Sequence, residues 1–408
     1  MNRSATMRHS DKQAEGRHSA ARGSDRSVAG FDRSINGFFR DAIRISWRDP
    51  GKTYFFVKTA VQQRQAAARR REWEERGVHV PPLMIMSVTR SCNLRCAGCF
   101  VHAQGRPAGV QMTEVEVRTV LGEARDLGVS MVALAGGEPL TRPEVLDVAG
   151  DFPEMMFLLI TNGSLIDGPV LEKLERLDNV IPVVSLEGFE GETDGRRGGG
   201  VYRRALLAME RMQERGLFFG TSVMITRPNY AVTTGREFVR GLVERGCRLF
   251  FYVDYVPIRP GTERLVPSES QRNAEPLTME LLRREFPGLF LASSASEQAF
   301  GGCMAAGRGF IHVNAEGDLE PCPFSPFSDT NLRQVPLREA LRSWFLREIR
   351  ESDEHLSESG GGCALWTKRE WLESLLADAG DCRPGVGDEQ LRERGADEPR
   401  QASDRLVA

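Results

Sequence analysis

The run Ser-Cys-Asn-Leu-Arg-Cys-Ala-Gly-Cys-Phe occupies residues 91–100 and directly follows the apolar segment Leu83–Val88. It places Cys92, Cys96 and Cys99 at C-x3-C-x2-C spacing on a loop that leaves a predicted strand. Three thiols at this spacing can converge on one soft metal centre. A cubane iron–sulfur cluster has four irons, so three thiolates leave one iron open to another ligand. An open position is typical of a reactive metal site.

Taken alone, this run is also compatible with other roles for the three cysteines. Zinc sites commonly pair C-x2-C modules with a fourth Cys or His, and His102 could complete such a set. A disulfide framework and unrelated buried thiols are the remaining alternatives. The choice between a cluster, zinc, disulfides and unrelated thiols therefore depends on the residues that follow the next predicted strands.

The composition is that of a globular protein with room for a sizeable core. The chain has 408 residues, of which 40% are hydrophobic and 27% charged. A net charge of −3 provides no electrostatic basis for binding nucleic acid or an anionic membrane. No segment reaches the roughly 20 apolar residues of a membrane span. Eight cysteines without a secretory signal favour a reducing compartment, so we expect a cytoplasmic protein with no nucleic-acid or membrane partner.

From Pro82 onward, short apolar runs alternate with helical patterns, which predicts an α/β fold. The predicted strands are Leu83–Val88, Met131–Ala135, Phe157–Thr161, Ile181–Leu186, Phe219–Thr226 and Leu249–Val256. The predicted helices are Thr113–Leu127, Pro143–Gly150, Pro169–Leu177, Tyr202–Arg215 and Thr233–Arg245, the first with a capping box of Thr113 and Glu116. Six such units suit an open, partial (β/α)6 barrel of TIM-like architecture, whose chemistry belongs at the C-terminal ends of its strands.

Composition further divides the chain into five predicted segments. They are a disordered lead-in (1–33), an N-terminal helical segment (34–81), a main α/β domain (82–260), a smaller cysteine-containing domain (261–382) and a disordered tail (383–408). Strong helix formers predict a helix over 53–76 within the second segment. We expect the basic cluster Arg69–Arg71 in that helix to form a solvated face.

The run Gly136-Gly137-Glu138-Pro139 follows the second predicted strand. Two consecutive glycines let the backbone approach a ligand closely, and the Glu138 carboxylate can accept hydrogen bonds from a cationic amine. Gly-Gly before Pro is also a common loop sequence. In combination with the cysteine spacing, however, this run resembles the "GGE" motif of the radical S-adenosylmethionine (radical SAM) family. In that family the motif contacts the methionine amino group of S-adenosylmethionine (SAM).

The radical SAM resemblance covers roughly residues 83–375 and implies the cofactors. It implies a [4Fe–4S] cluster on Cys92, Cys96 and Cys99, with SAM bound at the free iron, and it makes 82–260 the radical SAM core. A flavodoxin- or ferredoxin-like reductant would reduce this cluster. Electron transfer into SAM would then yield methionine and a 5′-deoxyadenosyl radical that abstracts hydrogen from the substrate.

Further candidate SAM contacts lie at the ends of the third, fourth and fifth strands. Asn162 and Ser185 can hydrogen-bond ribose hydroxyls or a carboxylate, although Asn-Gly and Glu-Gly sequences also form turns. The resemblance supports Ser185 and implies that the planar guanidinium of Arg197 approaches the SAM carboxylate. Adjacent Arg196 leaves that assignment open by one residue. Ser222 is a further candidate for contact with the adenosine.

One position departs from the family pattern. Many members carry an aromatic residue directly before the third cysteine, whereas this chain has Gly98 there and Phe100 after the cysteine. The resemblance therefore implies that the adenine is contacted differently in this protein.

A second cysteine set begins at Cys303. Cys303, the run Gly317-Asp318-Leu319-Glu320-Pro321-Cys322 and a later Cys363 resemble the opening of a SPASM domain, which binds an auxiliary [4Fe–4S] cluster. The later dense cysteine run of that domain is missing, which resembles the shorter "twitch" arrangement with one auxiliary cluster. Its implied ligands are Cys303, Cys322 and Cys363. Cys382 is either a fourth ligand or a free thiol.

The sequence leaves the substrate open. The first hypothesis is a small-molecule biosynthetic intermediate, with the auxiliary cluster accepting an electron or binding substrate. The second is a maturase that modifies a ribosomally made peptide, but 1–80 lacks the winged-helix pattern of a leader-binding domain. A third, from a different class, is a non-catalytic iron–sulfur protein for electron transfer or sensing, which has no need of Gly136–Glu138 or Arg197.

Overall fold

The computed structural model describes residues 35–105, 109–292, 297, 301–356 and 363–378. The predicted lead-in (1–33), the predicted tail (383–408) and Cys382 lie outside the described residues. Within the described ranges, no helix is both long and apolar enough to cross a membrane.

One nine-stranded sheet forms the centre of the fold, in the order β7-β6-β5-β4-β3-β2-β1-β8-β9. The strands are β1 (Leu83–Thr89), β2 (Met131–Gly136), β3 (Met156–Thr161), β4 (Val180–Leu186), β5 (Gly220–Ile225), β6 (Leu249–Asp254), β7 (Leu289–Ala292), β8 (Phe310–Val313) and β9 (Leu319–Glu320). All neighbouring pairs are parallel except β8 and β9. The predicted α/β class and the six predicted strands are confirmed.

Three strands that the sequence did not predict extend the sheet at both edges. β7 pairs with β6, and β8 pairs with β1 in parallel register from Leu83↔Phe310 to Met86↔Val313. All three come from residues after 260, so the sheet continues beyond the predicted end of the main domain. Strands of two to four residues are too short for the alternation of polar and apolar side chains to identify them.

Helices precede the sheet, connect its strands and follow its last strand. They are α1 (35–46), α2 (Pro50–Glu75), α3 (Phe100–Ala103), α4 (Glu114–Leu127), α5 (Val145–Gly150), α6 (Gly168–Arg176), α7 (Glu190–Arg197), α8 (Val201–Glu214), α9 (Tyr230–Thr233), α10 (Arg236–Glu244), α11 (Glu269–Glu285), α12 (Leu337–Ala340), α13 (Trp344–Glu351), α14 (Asp353–Leu356), α15 (Ala364–Thr367) and α16 (Arg369–Asp378). The capping box of Thr113 and Glu116 is confirmed at the start of α4. It satisfies backbone N–H groups that the first helical turn leaves unpaired.

Two apolar layers lie on opposite faces of the sheet. In β3, Phe157 and Leu159 belong to the outer layer against the helices, whereas Met156 and Leu158 belong to the inner layer. This alternation follows from the two-residue period of a strand. The inner layer is built from the first residues of several strands, including Met131 and Leu249.

The N-terminal helices close this inner layer. Ile35, Phe39 and Ala42 of α1 and Phe56 of α2 are buried within it. Because the inner layer comes from the start of the strands, α1 and α2 occupy the N-terminal end of the partial barrel. The opposite end, where the strands finish, is left for the site.

Polar contacts also hold α2 against the sheet. Gln63 donates from Nε2 to Ser130 O at 3.1 Å, and Arg70 donates from Nη1 to Gly128 O at 2.6 Å. Arg70 is therefore buried, and the expectation of a solvated face over Arg69–Arg71 is wrong at this position. The guanidinium is needed to satisfy a carbonyl at the end of α4.

Candidate metal and cofactor site

The loop that carries the first three cysteines is held by the loop after β2. Gly137 N donates to Thr89 O at 2.7 Å, and Glu138 N donates to Ser91 O at 2.8 Å. A Cβ on Gly136 would lie 2.2 Å from Thr89 O, and one on Gly137 would lie 2.1 Å from Ser91 O. Both glycines are therefore required for the contact between the two loops, which sets the backbone geometry of the cysteine loop.

The Glu138 carboxylate is buried and accepts three hydrogen bonds from the protein. Oε1 accepts from Leu140 N at 3.1 Å and Thr161 Oγ1 at 2.7 Å, and Oε2 accepts from Asn162 N at 2.7 Å. Burial raises the pKa of Glu138, and these hydrogen bonds oppose the rise. The carboxylate organises the ends of β2 and β3 and is not directed at an open space. These three hydrogen bonds do not use all the lone-pair positions of the carboxylate, so acceptance from the SAM amine stays a prediction.

Asn162 connects β3 to the cysteine loop. Its Nδ2 donates to Asn93 Oδ1 at 2.8 Å, and its Oδ1 accepts from Ser164 N at 2.9 Å. Asn93 lies between the first two cysteines and in turn donates to Ser164 Oγ at 2.8 Å. The predicted cofactor residue Asn162 thus positions the loop through its neighbour.

The three thiols of this loop are half-buried and free of disulfides. Burial raises the pKa of Cys92, and the nearby Glu138 carboxylate and the other two thiols raise it further. Burial also raises the pKa of Cys96, whereas the Arg197 and Arg196 guanidinium groups lower it. The thiols therefore lie close enough to repel one another as thiolates, beside a cationic pair that favours bound negative charge.

A buried carboxylate holds that cationic pair. Glu187, just after β4, accepts from Arg196 Nη1 and, at 2.8 Å, from Arg197 Nε. Arg196 O also accepts from Ala97 N at 2.8 Å, which ties the end of α7 to the cysteine loop. Both arginines thus belong to the site. Glu187 was not among the candidate residues predicted from the sequence, although a Glu at a strand end nine and ten residues before two arginines is a detectable signal.

Ser185 and Ser222 are direct neighbours across β4 and β5, and their hydroxyls lie 3.2 Å apart. They occupy the inner face of the barrel below the strand ends. The pair offers two hydroxyls that can donate and accept hydrogen bonds.

A second polar group on the inner face was also missed. His312 on β8 lies 2.8 Å from Ser87 Oγ through Nε2 and 2.8 Å from Glu320 Oε2 through Nδ1. Asn314 Nδ2 donates to the other Glu320 oxygen at 2.8 Å. This network joins β1, β8 and β9. His312, the one polar residue of the strand Phe310–Val313, points to this network once β8 is recognised.

The second cysteine set converges from three separate segments. Cys303 and Cys322 are buried and Cys363 is half-buried. A hydrogen bond between Cys322 and Cys363 raises the pKa of Cys322 and lowers that of Cys363, while burial raises the pKa of Cys303. Cys247 is a separate, fully buried residue whose Sγ donates to Leu249 O at 3.4 Å.

The two cysteine sets are neighbours. The ring of Phe100, next to Cys99, packs edge-to-face on Phe324 at 5.4 Å, and Phe324 N donates to Cys322 Sγ at 3.5 Å. Gln104 Nε2 donates to Pro323 O at 2.7 Å. The aromatic residue of this loop follows the third cysteine instead of preceding it. As a result, Phe100 faces the second cysteine set.

Within the described ranges, no three His, Cys, Asp or Glu side chains converge on a point that could hold a single metal ion. Zinc requires such convergence of its ligands at short range. A cubane places a separate iron in front of each thiolate, so its ligands need not converge. The thiol donors of both sets therefore fit a cluster better than zinc.

Comparisons with known proteins agree with this geometry. Residues 86–231 match the family model of the Radical SAM superfamily. The chain is 26% identical over 313 residues to an AdoMet-dependent heme synthase of Methanosarcina barkeri, covering 69% of this chain and 88% of that protein. It is 26% identical over 362 residues to the mycofactocin maturase MftC of Mycobacterium tuberculosis, covering 80% and 89% respectively.

A likeness to solved structures supports the fold. Streptococcus suis SuiB bound to S-adenosylmethionine aligns with a TM-score of 0.58 at 20% identity, covering 74% of this chain and 73% of that chain. The alternative of a non-catalytic iron–sulfur protein is set aside, because family and relatives are enzymes. Residues 86–231 therefore form a Radical SAM domain, and the protein is a radical SAM enzyme that uses a [4Fe–4S] cluster and S-adenosylmethionine and resembles the SPASM-type members.

Proposed function

We propose that this enzyme abstracts hydrogen from a small-molecule biosynthetic intermediate and carries one auxiliary [4Fe–4S] cluster. Cys92, Cys96 and Cys99 would hold the first cluster, and Cys303, Cys322 and Cys363 the auxiliary one. When bound, the first cluster and SAM would supply two reactions: reductive cleavage of SAM and abstraction of hydrogen from the substrate. A flavodoxin- or ferredoxin-like protein is the proposed reductant.

Different groups around the first cluster site would contact different parts of SAM. The Gly136–Gly137 backbone and Asn162 fix the cysteine loop, and Arg197 supplies positive charge beside it for the SAM carboxylate. Ser185 and Ser222 offer hydroxyls on the inner face for the adenosine. Each group is preorganised by protein contacts, which limits the ordering cost of binding.

The observation that supports a small-molecule substrate is that the N-terminal helices pack into the inner layer of the barrel. Residues 35–81 contain helices and no strand, so this part of the chain forms no winged-helix leader-binding domain. Instead, Phe39 and Phe56 are buried in the inner layer. The segment therefore closes the barrel and leaves no separate peptide-binding unit among these residues.

A ribosomally made peptide is the second candidate. The match to a mycofactocin maturase covers 80% of this chain, against 69% for the heme synthase. Peptides are commonly bound by strand addition to an exposed sheet edge or in a groove. The two candidates predict different behaviour of the substrate toward proteases.

A protease-sensitivity experiment separates them. The reconstituted enzyme is incubated with SAM, dithionite and a dialysable extract of the host cells, and 5′-deoxyadenosine is quantified. We expect the extract to stimulate its formation, and we expect the stimulation to survive protease treatment of the extract. Stimulation that protease abolishes would identify a peptide and contradict the small-molecule proposal.

The auxiliary cluster has its own test. Reconstituted protein should hold about eight iron atoms per chain, corresponding to two [4Fe–4S] clusters. Replacing Cys303, Cys322 and Cys363 with Ala should reduce this to about four. Replacing Cys382 alone shows whether it is a ligand, since loss of the auxiliary signal identifies a fourth thiolate. Four irons in the unaltered protein would contradict the auxiliary cluster.

A further inference from the structure

Tyr255 follows β6 and carries a buried hydroxyl that has no hydrogen-bond partner among the described residues. The residue is 2% exposed, and its backbone N–H donates to Ile225 O at 2.9 Å, at the end of β5. It lies six positions after Leu249, which belongs to the inner layer. Side chains at an even separation along a strand share a face. The Tyr255 ring therefore extends the inner row of β6 toward the cysteine loop.

The phenol head lies against Gly98, between the second and third cysteines. A Cβ on Gly98 would be 2.7 Å from Tyr255 Oη and 3.1 Å from its Cε2. Gly98 has a φ of 66°, a conformation that other residues adopt at a cost. The tyrosine thus occupies the space that a side chain at position 98 would need. Its hydroxyl reaches the loop between two of the three proposed ligands.

A buried hydroxyl without a partner is costly, because it loses its bonds to water and gains none in return. β6 itself contains a contrasting case: Tyr252, also buried, donates from Oη to Thr233 O at 3.1 Å. The difference between the two tyrosines points to an acceptor at Tyr255 that the polypeptide does not supply. Sulfur atoms held at the adjacent loop are acceptors of the required kind.

We propose that the Tyr255 hydroxyl donates a hydrogen bond to a sulfur of the cluster held by Cys92, Cys96 and Cys99, and so raises its reduction potential. This inference rests on the cluster site proposed above. Reduction adds an electron to the cluster, and a hydrogen bond to sulfur stabilises the added negative charge. Tyr255 can then reach the cluster only because position 98 is a glycine and has no side chain in the way.

The test is a redox titration of the reconstituted full-length protein, followed by electron paramagnetic resonance. The signal that changes when SAM is added belongs to the first cluster, and its midpoint potential is measured without SAM. We expect Tyr255→Phe to shift this midpoint to a more negative potential, with unchanged iron content and unchanged SAM affinity. The matched control, Tyr252→Phe, should leave the midpoint in place. Incorporation of 3-fluorotyrosine at position 255, a stronger donor, should shift it in the positive direction.

Two results would overturn the proposal. A Tyr255→Phe midpoint equal to that of the unaltered protein would show that the hydroxyl does not reach the cluster. A loss of SAM affinity at an unchanged midpoint would assign the hydroxyl to SAM instead. Failure of the cluster site itself is distinguishable, because Cys92→Ala would then leave the SAM-responsive signal intact, an outcome that no change at Tyr255 can produce.

Discussion

At Gly137 the loop after β2 and the cysteine loop are so close that a single methyl group cannot fit between them. We expect Gly137→Ala to lower the free energy of unfolding by about 1–3 kcal/mol, because the new Cβ would collide with Ser91 O at 2.1 Å. We also expect less iron at the adjacent triplet. The control is Gly168→Ala at the start of α6, where a Cβ meets nothing within 4 Å. Equal stability and iron content in the two variants would contradict this account.

Glu187 is the residue on which the cationic side of the site depends. Its carboxylate, 1% exposed, accepts from both Arg196 and Arg197. We expect Glu187→Gln to destabilise the protein by about 3–5 kcal/mol, because two buried guanidinium groups lose their counter-charge. Urea unfolding measures this change.

The control for Glu187 is Glu190→Gln. Glu190 forms an exposed pair with Arg203, and such pairs contribute about 0–1 kcal/mol. If both variants unfold at the same urea concentration, the buried carboxylate is not what stabilises the arginine pair.

At the scale of elements, α1 and α2 act as the closure of the barrel's N-terminal end. We expect Phe56→Ala to cost about 3–5 kcal/mol of stability, since Phe56 is fully buried in the inner layer. Tyr54→Ala on the same helix, at a position 70% exposed, should stay within about 0.5 kcal/mol of the unaltered protein. Thermal and urea unfolding compare the two. Comparable losses would show that α2 is not packed as described.

The contact of α11 with β6 introduces a dependence on pH. Burial, reinforced by Asp254, raises the pKa of Glu275 to about 8. The folded state then holds a proton that the unfolded state releases near pH 4.5, so stability falls as the pH rises from about 5 to 8. The slope is at most about 1.4 kcal/mol per pH unit.

Glu275→Gln tests this pH dependence. The variant should remain neutral, so its stability relative to the unaltered protein should increase steadily between about pH 5 and pH 8. Glu280→Gln on the same helix, at an exposed position paired with Arg284, should show no such trend. Parallel stability curves for the unaltered protein and Glu275→Gln would contradict a raised pKa.

Sequence periodicity is sufficient to predict the long helices and strands but not the short strands. Six strands and the capping box at Thr113 were predictable because apolar runs and cap residues are local signals. β7, β8 and β9 were not, because strands of two to four residues are too short to show that periodicity. The same limit hid His312, whose partners are Ser87 on β1 and Glu320 on β9.

The candidate site shows the same division. The cysteine spacing and the Gly136–Glu138 run were sufficient to predict the cluster and S-adenosylmethionine from the sequence. The orientation of side chains was not predictable, since Glu138 faces Thr161 and Asn162. Tyr255 carries no local signal, because its role depends on its distance from Gly98 across the barrel.

At the scale of the whole molecule, the two cysteine sets should be separable in function. We expect Cys303→Ala to retain part of the SAM cleavage and to abolish substrate turnover, because the auxiliary cluster would act after hydrogen abstraction. The Phe100–Phe324 contact places the two sets side by side without shared ligands. Quantification of 5′-deoxyadenosine and of product in the same reaction measures both steps. Loss of all SAM cleavage in a folded Cys303→Ala protein would contradict separate roles.

The central claim is that the loop of Cys92, Cys96 and Cys99 binds a cluster that cleaves SAM. The most direct test is anaerobic reconstitution with iron and sulfide, followed by addition of SAM and dithionite and quantification of 5′-deoxyadenosine. We expect the unaltered protein to form 5′-deoxyadenosine, and we expect none after all three cysteines are replaced with Ala. Absence of 5′-deoxyadenosine from unaltered protein that contains its clusters would contradict the account.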